Sequence, residues 1–134
     1  MIKEISVKTK NRYELIDLTP ELEEFLEENS VKSGLLFLFV PHSTAALLLT
    51  ENEEGLKQDW LEFFKKITAG IDFRHNQIDD NAVAHLLSGL VGQGRVLAIE
   101  NGKLVRGIWQ NIFLVELDGP RTRRLVIKII KDSN

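Results

Sequence analysis

A chain of 134 residues that is 43% hydrophobic and 28% charged has the make-up of one globular domain, able to bury roughly two thirds of its unfolded surface, and not that of a disordered or low-complexity protein. Its 17 Lys and Arg against 20 Asp and Glu leave a net charge of -3, so there is no global attraction to nucleic acid or to an anionic membrane. Cysteine is absent, which excludes disulfides, thiolate metal ligands and a cysteine nucleophile.

The N-terminal Met1-Ile2-Lys3-Glu4-Ile5 lacks the apolar run of a signal peptide, and no stretch approaches the ~20 apolar residues of a membrane span, so a cytoplasmic protein is expected. With no repeat, linker or break in composition, residues 1–134 are expected to form a single domain. Ile2, Ser6 to Lys8 and Tyr13 to Leu18 flank the turn-prone Lys10-Asn11, the pattern of an opening β-hairpin. Thr19-Pro20-Glu21 starts a helix, with Thr19 as cap, Pro20 at the first position and Glu21, Glu23 and Glu24 at the positive end of the dipole. Leu35 to Val40, an apolar run between Gly34 and Pro41, predicts a strand buried on both faces. Ala45 to Leu49 is the next strand, with Pro41-His42-Ser43-Thr44 between them. A second helix runs from Asn52 to about Ile67, its core face made of Leu56, Trp60, Phe64 and Ile67. Gly70 to Asp80 has no periodicity and reads as a loop. A third helix spans Asn81 to Leu90, with Asp79 or Asp80 as cap and Gly89, Gly92 and Gly94 ending it. Three antiparallel strands complete the chain: Arg95 to Glu100, a turn at Asn101-Gly102, Ile108 to Leu117, a turn at Asp118-Gly119-Pro120, and Arg124 to Ile130. Strands outnumber helices, and the class is α+β.

The three histidines all stand in polar settings: His42 after a strand, His75 in the loop and His85 on the third helix. At about 100° per residue, Asn81, His85 and Ser88 share a narrow arc of that helix opposite Val83, Leu86, Leu87 and Leu90. The arc either faces solvent or lines a cleft or a subunit contact. His42, at a strand end, is open to the same two readings. Converging imidazoles hold a divalent metal such as Zn²⁺, or divide acid, base and anion-binding roles. Their separations of 33 and 10 residues match no short metal motif. Glu51, Asp79 and Asp80 lie near the histidines in sequence, placed to support them or to offer oxygen ligands to Mg²⁺; for Asp79 and Asp80 capping is an equal explanation. Arg121, Arg123 and Arg124 form a basic cluster whose guanidinium forks suit phosphate or simply solvate a strand start. Gly92-Gln93-Gly94 follows a helix, whereas a nucleotide loop needs a strand before it. Trp109 and Gln110 are adjacent on a predicted strand, so one is expected to be packed and the other displayed.

Several blocks together resemble one family. His42-Ser43-Thr44-Ala45-Ala46 leading to Glu51-Asn52, Arg74-His75-Asn76 before Asp80-Asn81 and His85-Leu86, Gly107-Ile108-Trp109-Gln110-Asn111-Ile112, and Glu116-Leu117-Asp118-Gly119-Pro120-Arg121 look like the signature of the YjbQ-like proteins, also called secondary thiamine-phosphate synthase enzymes. The likeness covers nearly the whole chain. One departure is visible: Ile108 stands where the family usually carries threonine in Gly-Thr-Trp-Gln. The resemblance implies an α+β fold with a largely antiparallel, β-sandwich-like core and about three helices packed outside, assembling as a homotrimer with polar clefts near subunit boundaries. It also implies that His42, His75 and His85 are site positions.

The activity attached to the family joins hydroxymethylpyrimidine diphosphate to thiazole phosphate, a transferase reaction described as secondary. It needs stabilisation of a departing diphosphate and placement of the thiazole nitrogen. Arg121 and Arg123, a protonated histidine, or Mg²⁺ held by Glu51 with Asp79 or Asp80 fit the first task. Ser43, Thr44, Asn81, Ser88 and Gln110 are the expected hydrogen-bonding residues, and no organic cofactor is needed. Two other classes fit the same residues. One is a hydrolase in which the histidines bind Zn²⁺ and Glu51 is the base; the other is a non-catalytic trimeric binder of a small phosphorylated metabolite.

Overall fold

Alternation of apolar side chains sorts the strands into two sheets. The computed structural model describes residues 2–133. In chain order the elements are β1 (Ile2–Lys8), β2 (Glu14–Asp17), α1 (Thr19–Glu28), β3 (Gly34–Phe39), β4 (Ala45–Thr50), α2 (Glu54–Thr68), a 3₁₀ turn (Arg74–Gln77), α3 (Ala82–Val91), β5 (Gly94–Glu100), β6 (Lys103–Leu104), β7 (Asn111–Glu116) and β8 (Thr122–Lys131). One sheet has five strands in the order β1-β8-β3-β5-β6, the other three in the order β2-β7-β4, and every pairing is antiparallel.

The two sheets share one core. Leu36, Leu38, Leu97, Ile99, Leu125 and Ile127 of the larger sheet meet Ala45, Leu47, Ile112 and Leu114 of the smaller one, joined by Leu18, Leu22 and Leu26 at α1. Full burial of each such Leu or Ile stabilises by roughly 1.5–3 kcal/mol. The opposite face of the three-stranded sheet carries Ala46 and Val115, which pack with Leu117, Phe64 of α2, and Ala84 and Leu87 of α3. The result is the expected α+β domain with a sandwich-like core and three helices outside. Among the described residues, no helix is long and apolar enough to cross a membrane.

Several local expectations change. The opening strands form no hairpin, because β1 pairs with β8 and β2 with β7. Thr9 carries the chain from one sheet to the other: its N–H donates to Arg121 O and its Oγ1 accepts from the Arg121 N–H, both at 2.8 Å. β3 is buried on one face only, with Leu35 and Phe37 left exposed. Thr19 does not cap α1; its Oγ1 accepts from the Ile112 N–H at 2.8 Å. On α2 only Phe64 is fully buried and Ile67 is exposed. The strand expected from Ile108 begins at Asn111. The preceding residues form a turn closed by Gln110 N–H to Gly107 O at 2.9 Å, which leaves Ile108 82% and Trp109 67% exposed.

The third helix is turned relative to its expected face. Asn81 at its start, together with Ala84, Leu87 and Ser88, is buried, whereas Leu86 and Leu90 are 53% and 75% exposed. Small side chains allow close approach to β4, so the polar arc faces inward. Asp79 and Asp80 do not cap it either: the Ala82 N–H donates to Asn76 Oδ1 at 3.1 Å.

Candidate functional site

The site grows from one buried ion pair at the end of the three-stranded sheet. Glu116, the last residue of β7, is 0% exposed and Arg123, on β8, is 2% exposed. Arg123 Nε donates to Glu116 Oε1 at 2.9 Å, and its Nη2 reaches Glu116 Oε2, Thr44 O at 3.0 Å and Thr44 Oγ1 at 2.9 Å. The Glu116 carboxylate also accepts from Thr9 Oγ1 at 2.7 Å and from the Leu117 and Asp118 N–H groups at 3.0 Å. Burial works against its charge, but the bonds from Arg123, the Asp118 amide and Thr9 outweigh this and hold its carboxyl below the ordinary value. Gly119 follows necessarily from this crowding: a Cβ there would collide with the Asn11 carbonyl oxygen and lie 2.8 Å from Glu116 Cγ.

Around this anchor three segments enclose an open cleft of about 580 Å³. The β3–β4 loop contributes His42, Ser43 and Thr44, α3 with its N-terminal flank contributes Asn81 and His85, the β7–β8 turn contributes Asp118 and Arg121, and the start of β8 contributes Thr122 and Arg123. Gln93 holds the first segment in place, its Nε2 donating to His42 O at 2.6 Å and Ala45 O at 3.3 Å. Gly92-Gln93-Gly94 is thus a loop clamp. Arg95 fastens the end of α3 by donating to Val91 O at 2.6 Å and Leu47 O at 2.8 Å, as a cation at a helix C-terminus does.

Each histidine has a defined partner. His42 Nε2 accepts from the Arg124 N–H at 2.9 Å. Desolvation, then the positive charges of Arg123 and Arg124, push its pKa below the ordinary value and favour the neutral ring. His75 Nε2 is 2.9 Å from Asn81 Oδ1, and its ring stands edge-on to His85 with centroids 4.8 Å apart. Asn81 Nδ2 donates to Asp118 Oδ2 at 2.9 Å. Arg121 embraces the same residue, with Nη2 3.0 Å from Oδ2 and Nε 2.7 Å from the Asp118 carbonyl. Burial raises the Asp118 carboxyl pKa, but the bonds from Asn81 and Arg121 outweigh it and hold it low.

Most sequence candidates therefore meet: His42, Ser43, Thr44, Asn81, His85, Arg121 and Arg123 line one cleft, and His75 adjoins it through His85 and Asn81. Ser88 is buried on α3 with no partner for its hydroxyl among the described residues. Asp79 accepts from the Asp80 N–H, and Asp80 accepts from Arg12. Glu51 and Gln110 stand at the far end of the small sheet, one following β4 and the other preceding β7, roughly 17 Å of strand rise away. Gln110 Oε1 accepts there from the Gly107 N–H at 2.8 Å. Glu116, Asp118 and Thr122 are site residues that sequence reasoning missed; for the first two the family-like run from Glu116 to Arg121 was the signal.

Among the described residues no three His, Asp or Glu side chains group closely enough to hold a metal ion. His42 Nε2 is engaged by the Arg124 amide, His75 Nε2 by Asn81, and the Asp118 carboxylate by Asn81 and Arg121. What the cleft offers is a guanidinium, imidazoles and hydroxyls facing one volume, an arrangement suited to phosphate oxygens.

Comparison with known proteins gives the family and the fold. The family described as UPF0047 protein YjbQ-like matches residues 3–132. A UPF0047 protein of Archaeoglobus fulgidus is 42% identical over 128 residues, covering 95% of this chain and 99% of its own. UPF0047 protein YugU of Bacillus subtilis is 37% identical over 131 residues, covering 97% and 99%. The crystal structure of a YbjQ-like protein of unknown function from Sulfolobus solfataricus superposes with a TM-score of 0.93 at 45% identity, covering 98% of this chain and 97% of that one.

Proposed function

The chain belongs to the YjbQ-like UPF0047 family, and from that premise we propose that its histidine cleft binds a small phosphorylated metabolite and supports thiamine-phosphate synthase chemistry. The observation that carries this reading is the convergence of His42, His85 and Arg121 on one cleft, from positions far apart in sequence. In the reaction, the bond between the pyrimidine methylene carbon and the diphosphate oxygen breaks, its electron pair leaving on diphosphate. The thiazole nitrogen lone pair then forms the new carbon–nitrogen bond. Arg121, the His42 ring N–H and the hydroxyls of Ser43 and Thr122 hold the departing anion, acting where charge develops. His85 lines the opposite wall and orients the acceptor.

Purified protein, assayed for thiamine phosphate from the two substrates with and without Mg²⁺ or Zn²⁺, tests the proposal. His85→Ala is expected to lower turnover by about 100-fold or more while the unfolding midpoint changes little. Turnover equal to wild type removes His85 from the mechanism, and tight ligand binding without turnover makes the protein a binding module.

The same proposal includes assembly as a homotrimer, acting in the cytoplasm. Its support is the outer face of the five-stranded sheet, where Leu35, Phe37, Val96 and Ile130 are exposed together on adjacent strands, an apolar grouping of the kind that marks an interaction surface. Light scattering is expected to give three times the 15.3 kDa chain mass, and a monomer at micromolar concentration overturns this part.

A further inference from the structure

Hydrogen-bond grammar at the cleft goes one step beyond which residues are present. We infer that Asn81 and Asp118 are a positioning pair that fixes His75 as its Nε2–H tautomer, while the Arg124 amide fixes His42 in the opposite, Nδ1–H form. The two rings then offer different atoms to a ligand.

The His42 half rests on one bond. A backbone amide only donates, and the Arg124 N–H lies 2.9 Å from His42 Nε2, so Nε2 carries the lone pair and the neutral ring keeps its proton on Nδ1. The His75 half is read outward from Asp118. An ionised carboxylate only accepts, and its Oδ2 is 2.9 Å from Asn81 Nδ2, which settles the orientation of that amide. The other end of the same amide, Oδ1, therefore faces His75 Nε2 at 2.9 Å. An amide oxygen only accepts, so Nε2 carries the proton and Nδ1 of the neutral ring keeps its lone pair.

The pair is itself held firmly. Arg121 binds Asp118 through both its carboxylate and its carbonyl, Asn81 is buried, and the lowered carboxyl pKa keeps Asp118 ionised. Neither residue needs to touch reacting atoms to do this. Taken with the functional reading above, on which this division of labour rests, His42 is a hydrogen-bond donor to an anion and its Nε2 is unavailable as a base. His75 Nδ1 is an acceptor, on a ring whose centroid is 4.8 Å from that of His85. Orienting partners of this kind typically change affinity or activity by about 10–100-fold when lost at metal-bound histidines, and the same physics applies to an imidazole held for proton transfer.

The test is the nitrogen and imidazole-proton NMR spectrum of uniformly ¹⁵N-labelled wild-type protein at about pH 8.5, above the ordinary imidazole range. Expected are a protonated Nε2 on His75, with a ring proton slow to exchange with water, and a protonated Nδ1 on His42. In Asn81→Ala the slow His75 proton is lost to exchange while the His42 pattern stays. A proton on His75 Nδ1 or on His42 Nε2, or a slow His75 proton that survives in Asn81→Ala, overturns the inference. If that variant fails to fold, the wild-type spectrum alone decides. No substrate enters these spectra, so their failure leaves the synthase reading standing, and an inactive protein with the expected spectra fails only that reading.

Discussion

The two ends of the three-stranded sheet are both polar, and they use polarity differently. At the β7 exit, Glu116 and Arg123 are buried and every charge finds several partners. At the β7 entrance, Asp17 accepts from Asn111 Nδ2 at 2.8 Å and Asn52 Nδ2 at 3.4 Å, and Asn111 Oδ1 accepts from Arg106 at 3.1 Å. Water reaches that second network. A buried, satisfied ion pair fixes backbone and side chains in one arrangement on which a cleft can be built. A half-exposed network staples loops and tolerates loss.

This contrast can be broken by mutation, and the largest effect belongs to the buried end. Arg123→Met strands the Glu116 carboxylate without its partner and is expected to cost about 3–5 kcal/mol by urea denaturation, much of it recovered when Glu116→Leu is added. A loss under about 1 kcal/mol would show that the pair is dispensable. The next effect is the acid limb. Glu116 and Asp118 have folded pKa values below their ordinary 4.5 and 3.8, and His42 below 6.5. In each case the unfolded chain binds protons first as pH falls, so stability rises with pH. The His42 contribution begins to disappear below about pH 6.5, and those of the carboxylates below their unfolded values, being lost as pH falls through the folded ones. Stability measured between pH 7 and pH 3 is expected to fall throughout, with Glu116→Gln flattening the lower part; a rise on acidification contradicts the assignment. Smallest is Asn111→Ala at the exposed end, expected to cost about 1 kcal/mol, and a loss as large as that of Arg123→Met would erase the distinction between the ends.

Much of the molecule was legible in its residues. The α+β class, the three helices and the turn at Asn101-Gly102 follow from periodicity and from residues that accept a left-handed backbone, observed here with φ of 53° and 76°. The family resemblance singled out His42, His75 and His85, while their spacing in the chain left open whether they meet. What stayed hidden is decided by tertiary packing. A helical wheel divides α3 into two faces without saying which turns inward, and here the small Ala84 and Ser88 face β4 while Leu86 and Leu90 do not. Strand pairing is equally non-local: Lys8 faces Thr122, whereas the turn-prone Lys10-Asn11 points to pairing with the adjacent strand. Asp118 reads as a turn residue because its partner Asn81 lies far along the chain, and Glu51 and Gln110 were grouped by motif, which carries no distance.

The position of β8 within the larger sheet has a consequence for biosynthesis. It lies between β1 and β3 and bonds to both, so two strands made earlier await the strand between them, which is translated late. Until Thr122–Lys131 has left the ribosome, their inner edges stay open, the condition in which nascent chains mispair or recruit chaperones. Arg121, Thr122 and Arg123 arrive with that strand, so the cleft wall and the sheet are completed in the same late step.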